Sequence, residues 1–569
     1  MSKTVTRRRA LTVEMTSGSL WKNILLFSLP LMMTQVLEVL FNLSDVAIAG
    51  KYAYNTYIAL GAVGSTTTLV SLFTGLLIGV GAGVNVAAAR GLGMEDNDNV
   101  EKTVHSSFLI CLGLGVLVCL VCVFFAEPML RLLNTKEEFL PGAVLYLKLY
   151  AIGLPGMGLY NCGNGILSAT GDTKRPLVYL FIAGVLNVVL NLVFVIGCNM
   201  SAEGVAIASA IAQWVSAILI VIHLLRRQDA CRLDMRKLRL HPMAAKRVLM
   251  IGIPSGLQNA IFAVANLFVQ AGLNSFDEIT VSGAAAAANA DTLVFNMMGA
   301  FYTACASFVS RNWGAGHKER ITKSYLISMF YAFAVGSICG GLLLVFGRQF
   351  LSLFADKPEV IDAGMDRLRI MAFSYGIGAL MDASIAASRG IGKSIAPTVM
   401  VIMGSCVFRV IWICTVFAYF HTVPSLYLLY IFSWVITVAQ IPQTVSAMLQ
   451  DNIHSKVAML MVINIILLIA GTFIDTTSAI VIFAPLFIPI CKAMNVDLVH
   501  FGMIMTVNLT IGMCTPPLGV CLFVSSSIAK ISLKDQMRDL LPMLAVLIGV
   551  LLLVTYIPGL TLWLPSLFK

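Results

Sequence analysis

Runs of about 20 apolar residues recur along the whole chain, and each is long enough to cross a hydrocarbon core of about 30 Å. Inside such a core every backbone N–H and C=O must be paired within the protein, so runs of this length form helices. The 569-residue chain is 59% hydrophobic and 12% charged, and soluble domains carry about twice that fraction of charge. The runs therefore predict an all-α integral membrane protein.

An internal repeat relates two halves of the chain. Three pairs of similar segments follow one another in the same order at offsets of 224, 223 and 221 residues: 27–31 with 251–255, 87–93 with 310–316, and 171–176 with 392–397. This pattern predicts a duplicated bundle with six spans in each copy. Because six is even, both copies share one orientation in the membrane, as in transporters built from parallel repeats.

The twelve predicted spans divide equally between the two copies. They are residues 20–48, 56–85, 104–126, 140–169, 177–198 and 203–226, then 248–275, 283–311, 322–346, 362–389, 395–419 and 425–448. The long charged connector 227–246 separates them. The predicted domains are therefore an amino-terminal lobe (1–226), a cytoplasmic linker (227–246), a second lobe (247–437) and a carboxy-terminal segment (438–569).

The positive charge lies in particular loops. The net charge is +10, and basic residues fill the amino terminus, the connector and the loops near Lys174 and Arg311, whereas loops 197–202 and 419–424 contain no Lys or Arg. Basic loops mark the cytoplasmic side. This predicts a multi-pass protein of the cytoplasmic (inner) membrane with a cytoplasmic amino terminus. No basic patch carries interleaved aromatics, so nucleic-acid binding is excluded.

Residues 438–569 differ from the repeat. Their apolar spans are interrupted by Gly, Thr and Pro, and they predict three to five further membrane segments with broken helices. Broken helices are tolerated at membrane depth where they line a cavity or face other protein.

Four polar residues inside apolar runs of the first lobe are candidates for ion coupling. Asp45 lies in the first span, with Gln35 nearby, and intramembrane acids are functional by default. Asn187 and Asn191 are one turn apart and share a face of the fifth span. Two plainer interpretations stay open: Asp45 is hydrated at the membrane interface, and the two asparagines bridge packed helices.

Residues 1–437 resemble the multidrug and toxic compound extrusion (MATE) family. The matching segments are 27–50, 81–93, 166–176, 186–195, 203–213, 251–258 and 309–316. The resemblance implies that the cation-coupling acid is Asp45 and that Asn187 matches the family's asparagine. A second acid of some members is Asn191 here, which leaves one carboxylate and a sodium site of side-chain oxygens as an alternative to a proton relay.

The resemblance assigns weaker roles in the second lobe. An acid of another branch of the family is replaced by Phe262, so coupling is expected through the first lobe. Five residues are weaker candidates for a substrate cavity: Asn266, Gln270, Asp291, Asp382 and Arg409.

Residues 432–569 resemble the carboxy-terminal part of the large permease subunit of tripartite ATP-independent periplasmic (TRAP) transporters. The matching segments are 440–445, 471–480, 500–512 and 514–520. The resemblance implies that Asp475, Asn508, Thr510 and Thr515 correspond to a cation-site neighbourhood. The chain has only one of the two inverted halves of that subunit, so the site is expected to be vestigial and no TRAP binding-protein partner is expected.

The predicted function is secondary antiport: entry of H⁺ or Na⁺ drives export of small organic compounds that are cationic or amphipathic. A sodium ion at Asp45 is the one metal expected; no cofactor, enzyme activity or oligomeric partner is expected, and the lipid bilayer surrounds a monomer. One alternative is a lipid or oligosaccharide flippase, which needs several cavity arginines, whereas only Arg409 is evident from the sequence. The other alternative is a nonfunctional fusion with a TRAP-type permease fragment.

Overall fold

A computed structural model describes residues 12–53, 56–133, 135–355, 357–438, 455–473, 476, 479–480, 483–484, 487–488, 491, 494–515 and 533–566. Every long regular element in these ranges is a helix. In chain order they are α1 (Leu20–Tyr52), α2 (Thr56–Gly93), α3 (Asn97–Leu132), α4 (Leu140–Ala151), α5 (Leu154–Ala169), α6 (Lys174–Gly197), α7 (Ala202–Leu225), α8 (Pro242–Leu273), α9 (Glu278–Gly314), α10 (Lys318–Leu351), α11 (Pro358–Gly390), α12 (Ile395–Phe420), α13 (Val423–Val438), α14 (Lys456–Phe473), α15 (Leu498–Gly512), α16 (Leu533–Tyr556) and α17 (Pro558–Ser566).

The prediction of an all-α membrane protein is confirmed. In the described part of the chain, ten helices are long and apolar enough to cross a membrane, or eleven if α4 and α5, bent by 43°, form one span. The first eleven predicted spans coincide with these helices. The twelfth, 425–448, begins in α13, and its residues 439–448 lie outside the described residues.

The backbone repeats as the sequence does. Gly171 (φ 86°) and Gly392 (φ 88°) both have the left-handed conformation, which glycine adopts without steric cost. Asn199 (φ 52°) and His421 (φ 43°), 222 residues apart, are left-handed in the same way. Two non-glycine residues in this rare conformation at the repeat offset confirm that the copies share local geometry as well as sequence.

Helix α6 and helix α12 share a further irregularity. The backbone widens to a π-helix at Leu192–Gly197 in α6 and at Ile413–Phe417 in α12, which is 221 residues later. Such turns are rare and are frequently found at functional sites. In α6 the π-helix begins directly after Asn191.

The chain forms two compact units: residues 1–398 with 422–434, and residues 399–421 with 435–569. Unit 1 contains the whole first lobe (α1–α7) and most of the second (α8–α11 and part of α13). Unit 2 contains most of α12 and the carboxy-terminal segment. The four domains predicted from the sequence stay a prediction.

Within unit 1 the two lobes contact each other along a seam of glycines between α2 and α8. A Cβ added to Gly79 would lie 2.2 Å from the backbone N of Gly256, and one added to Gly83 would lie 2.7 Å from that of Gly252. Only residues without side chains allow the two backbones to approach so closely. This seam runs toward Gly93, at the carboxyl end of α2.

Polar contacts between the lobes continue along the same half of α2. Asn85 donates from Nδ2 to Ser307 Oγ at 2.8 Å, and Ser310 donates to the carbonyl of Val86 at 2.7 Å. The predicted second span ends at Asn85, but the helix runs eight residues further, because these contacts pair its polar groups. This end of unit 1 also carries Arg175, Arg226 and Arg311; we call it the basic face.

In unit 2, α14 and α15 pack against each other through Gly471 and Gly512. A Cβ on Gly512 would lie 2.6 Å from the Cα of Gly471. Beside this contact, buried Asn508 donates to the carbonyl and side-chain oxygens of Asn464, each at 2.9 Å, and Asn464 donates to Thr555 Oγ1 at 2.9 Å. Unit 2 therefore has a buried polar core of its own.

Candidate ion-coupling site

Four polar side chains of the first lobe form a closed ring of hydrogen bonds. Asn191 Nδ2 donates to Asp45 Oδ1 at 2.5 Å and to Asn187 Oδ1 at 3.3 Å. Ser209 Oγ donates to Asp45 Oδ2 at 3.2 Å and accepts from Asn187 Nδ2 at 3.3 Å. Three helices, α1, α6 and α7, thus bring their polar groups to one point inside an apolar bundle.

Local sequence explains how the three helices meet. Asn187 and Asn191 are spaced by one helical turn, so both face α1. Gly184, one turn before Asn187, is so close to α1 that an added Cβ would overlap the ring of Phe41 at 1.8 Å. The absence of a side chain at Gly184 lets α1 approach α6, and Asp45 lies one turn beyond Phe41.

The carboxylate of Asp45 has no counter-ion in the ring. Among the ion pairs of the described residues, none involves Asp45, and its partners are neutral donors. Asn191 and Asn187 are 0% and 5% exposed. A carboxylate in low-dielectric surroundings without an opposite charge is costly, and binding a proton or a metal cation removes that cost.

One oxygen of the ring is available to a ligand. The side-chain Oδ1 of Asn191 is buried and has no hydrogen-bond partner in the described residues. A buried acceptor left unpaired costs about 1–3 kcal/mol. Together with the carboxylate of Asp45, the amide oxygen of Asn187 and the hydroxyl of Ser209, it supplies the oxygen ligands that hard cations prefer.

Sequence reasoning identified three members of the ring and missed Ser209. A serine among small residues of a helix usually bonds to its own backbone, and α7 offers no periodic signal that distinguishes it. Gln35 was predicted to belong to the site. It lies on α1 ten residues before Asp45, about 15 Å along the helix axis, and no hydrogen bond between described residues joins it to the ring.

The second lobe has apolar residues at all four equivalent positions. The repeat offset is 224 residues for α1, 221 for α6 and 222 for α7. With these offsets, the residues equivalent to the four ring members, in chain order, are Val269, Phe408, Trp412 and Ile431. The two copies share the backbone irregularities but not the polar ring. The ring is therefore not needed to build this fold.

The second lobe instead contains a neutralised acid. Asp291, predicted as a cavity residue, accepts from Arg367 Nη2 at 2.6 Å and from the hydroxyl of Tyr375 at 2.5 Å. The guanidinium of Arg367 also lies 5.1 Å from the ring centre of Tyr427. Asp291 has the counter-charge that Asp45 lacks, which fits a structural role.

Known proteins identify the scaffold that carries this ring. A family model described as MatE matches residues 30–193 and 254–415, more than half of the chain. The chain belongs to the MatE family. The probable multidrug resistance protein YpnP of Bacillus subtilis (strain 168) is 26% identical over 362 residues, 64% of this chain and 80% of that protein. A solved structure of a multidrug resistance MATE family transporter in an outward-facing conformation superposes with a TM-score of 0.70 at 21% identity, covering 75% of this chain and 95% of that one.

Membership of the MatE family makes the chain a secondary transporter that exports compounds, not an enzyme. The carboxy-terminal part matches a second family, the tripartite ATP-independent periplasmic transporter, DctM component, over residues 426–560. The uncharacterized protein YgiK of Salmonella typhimurium (strain LT2) is 48% identical over 136 residues, 24% of this chain. The chain spans only 31% of the length of YgiK. The predicted combination of a MatE transporter with a DctM-like fragment is confirmed.

The other predicted cavity residues of this MatE transporter belong to α8, α11 and α12, whereas the ring residues belong to α1, α6 and α7. Asn266 and Gln270 are exposed on α8, and Gln270 donates to Asn274 Oδ1 at 2.9 Å. Asp382 is half-buried on α11, and Arg409 is 3% exposed in unit 2.

A second buried arginine of the MatE scaffold was missed by sequence reasoning. Arg389 on α11 is 4% exposed and donates to Gln258 Oε1 at 2.7 Å, to Tyr302 Oη and to Thr398 Oγ1. No carboxylate of the described residues lies within 4 Å of it. With Arg367, this corrects the sequence-based statement that Arg409 alone is an interior arginine. Arg389 lies at the end of a predicted span, where arginines usually belong to basic loops.

Three of the four DctM-like residues are described, and their hydrogen bonds are made to other residues rather than to one another. Asn508 is buried in the polar core of unit 2, whereas Thr510 is exposed and donates to its own helix at Thr506 O. Thr515 likewise donates to Ile511 O at 2.7 Å. Asp475 lies outside the described residues.

Replacing Asp291 by asparagine is expected to destabilise the protein by about 3–5 kcal/mol, because it leaves the buried guanidinium of Arg367 without its counter-charge. Thermal unfolding of the full chain in detergent measures this loss. Asp366→Asn is the matched control, since Asp366 pairs with Arg369 on the exposed surface and such pairs contribute about 0–1 kcal/mol. Equal stability of the two variants would contradict a structural role for Asp291.

Proposed function

We propose that this MatE transporter is an antiporter in which H⁺ or Na⁺ binds at Asp45 and drives export of organic, cationic or amphipathic compounds. The protein lies in the cytoplasmic (inner) membrane with its amino terminus and basic face in the cytoplasm. The observation that carries the proposal is the ring around Asp45, where a carboxylate without a counter-charge adjoins an unpaired amide oxygen. No such ring exists at the equivalent positions of the second lobe.

Coupling follows from what the ion does to the ring. With the site empty, the ionised carboxylate of Asp45 holds Asn191 and Ser209 as donors, which ties α1 to α6 and α7. A proton on Asp45 replaces an accepting oxygen with a donor, and a sodium ion draws the amide oxygens inward. Either event changes the hydrogen bonds that join the three helices of this lobe. The ion therefore binds with different affinity to two arrangements of these helices, and coupling requires such a difference.

Transport in proteoliposomes under separate gradients tests this proposal. The full chain is reconstituted, a fluorescent cationic dye is placed on one side, and either a proton or a sodium gradient is imposed. We expect one gradient to drive dye movement and the other to have no effect beyond a matched salt control. Dye movement that is independent of both gradients would overturn ion coupling.

Export of an anionic compound is a second candidate, favoured by Arg389. Its guanidinium is buried among neutral partners, and one of its nitrogens, Nε, has no hydrogen bond in the described residues. An anionic dye of similar size in the same assay distinguishes the two substrates. Arg389→Gln should reduce movement of the anionic dye and spare that of the cationic dye if this candidate is correct.

Deleting residues 451–569 is expected to leave export equal or improved, because the twelve predicted spans of the MatE scaffold are then complete. Dye export per inserted molecule measures the effect, with insertion determined by fluorescence of a carboxy-terminal tag. Adding Asp45→Asn to the shortened protein is the control and should abolish the remaining coupled export. If the shortened protein inserts normally but does not export, the DctM-like fragment is a working part of the transporter.

A further inference from the structure

We propose that a pocket on the basic face binds a phosphate group and that its occupant holds the two lobes together at this face. The pocket is a cavity of about 640 Å³, within the range of about 300–1,000 Å³ that is typical of small-molecule sites. Its polar lining includes Thr170, Arg175, His223, Arg226, Arg227 and Arg311. Neither the ring at Asp45 nor the transport proposal uses these residues.

Two of the four arginines are already paired. Arg175 Nη1 donates to Asp172 Oδ2 at 2.6 Å, and Arg227 pairs with Asp229 through two of its nitrogens. Burial alone would raise the pKa of Asp229, but hydrogen bonds from Arg227 and the charge of that guanidinium outweigh it and hold this pKa below its ordinary value. The carboxylate of Asp229 is therefore ionised, and each of the two acids is paired with one arginine.

The other two arginines have no such partner. No carboxylate among the described residues lies within 4 Å of the guanidinium of Arg226 or Arg311; Glu14 and Glu95 act on Arg311 from farther away. Among the described residues, the Arg311 side chain makes a single hydrogen bond, from Nη1 to the carbonyl of Ala169 at 3.3 Å. Within the described part of the chain, the pocket thus has two more arginines than paired acids, and N–H groups of Arg311 are left without a hydrogen bond.

The excess charge selects an oxyanion. Arginine presents planar pairs of N–H donors that match phosphate oxygens. A phosphate ester fits this set as the headgroup of an anionic lipid or as a free phosphate compound. Basic pockets between helices on the cytoplasmic side of membrane proteins commonly bind lipid phosphates.

The pocket joins parts of unit 1 that must separate when the basic face opens. Arg226 directly follows α7 in the first lobe, whereas Arg311 is in the last turn of α9 in the second. Thr12 at the rim begins a segment that contacts both lobes: Val13 N donates to Gly171 O at 2.9 Å, and Arg320 donates to Met15 O at 3.2 Å. A phosphate shared by Arg226 and Arg311 adds a bond between the lobes that exists only while this face is closed.

Binding measurements on the full chain test the site and separate the two sources of phosphate. In one arm, detergent-solubilised protein is titrated calorimetrically with inorganic pyrophosphate. In the other, protein purified from nanodiscs of phosphatidylcholine with and without phosphatidylglycerol is analysed for retained lipid by native mass spectrometry. The variants are Arg226→Gln and Arg311→Gln. The matched control is Arg239→Gln, which changes an exposed arginine of the connector 227–246 that does not line the pocket.

We expect Arg226→Gln and Arg311→Gln each to weaken binding about tenfold or more, since one charge-assisted hydrogen bond accounts for at least that factor, and Arg239→Gln to have no effect. If the parent protein retains phosphatidylglycerol and the two pocket variants do not, the occupant is a lipid headgroup. If pyrophosphate binds to the parent more tightly than to the two variants and no lipid is retained, the occupant is a free phosphate compound. Because Arg226 is exposed, its substitution is compatible with folding even if that of Arg311 is not. If neither probe binds, or if Arg239→Gln weakens binding as much as Arg226→Gln does, the site does not exist.

Discussion

Asp45→Asn is expected to abolish ion-coupled export while the protein still folds and inserts. The substitution keeps the size of the side chain. Its amide oxygen still accepts from Asn191, and its amide nitrogen donates to Ser209 Oγ in place of the bond that Ser209 donates now. It removes the negative charge that attracts a cation and the group that takes up a proton. Dye movement under the driving gradient should fall to the level of empty liposomes.

The control for this experiment is Asp98→Asn. Asp98 is an exposed acid on α3 that pairs with Lys102 one turn away, and its loss should leave coupled export unchanged. Both variants should elute as the parent does in size-exclusion chromatography. Export by Asp45→Asn at the parental rate, driven by the same gradient, would remove Asp45 from the mechanism.

Gly79→Leu is expected to prevent the basic face from closing and thereby to stop transport. The added Cβ meets the backbone of Gly256 at 2.2 Å, and a backbone cannot rotate away as a flexible side chain can. Overpacking costs about 1–3 kcal/mol, which shifts the population of the closed arrangement by about fivefold to 150-fold. Leucine is a better helix former than glycine, so α2 itself remains intact.

The measurement for Gly79→Leu uses Ser310→Cys as a reporter of the closed face, because Ser310 is fully buried between the lobes. Reaction of this thiol with a membrane-impermeant maleimide, assigned by peptide mass spectrometry, should rise in the Gly79→Leu background. Gly64→Leu is the control on the same helix, since an added Cβ there meets nothing within 4 Å. Equal labelling in both backgrounds would contradict the role of the seam.

Sequence patterns were sufficient to predict the scaffold. Apolar runs determine where helices cross a membrane, and the repeat between residues 171–176 and 392–397 reappears as matched left-handed glycines. Asp45 and Asn191 stood out because charged and amide groups are rare inside apolar helices. These are local signals that need no knowledge of which helices are neighbours.

The unpredicted residues depend on tertiary contact. Ser209 becomes a ligand-type oxygen only because α7 meets α1, and Arg389 is interior only because Gln258 and Tyr302 satisfy it from other helices. From hydropathy alone, an arginine at the end of an apolar run, such as Arg389, is assigned to a loop. Gln35 and Asp45 belong to the same span, but ten residues of helix rise separate them along its axis. Listing the polar residues of one span does not show this separation.

The glycine seam between α2 and α8 also determines how quickly the attraction between the two lobes weakens as they separate. Contacts between backbones such as those of Gly79 and Gly256 have no long side chains to stretch or to follow a retreating partner. Dispersion attraction falls steeply, so a gap of 0.5–1 Å already forfeits about a quarter to a half of it. The closed face is therefore stable only at full contact and loses its attraction almost at once when displaced. Partly open separations have little to stabilise them, which favours two discrete arrangements of the lobes over gradual opening.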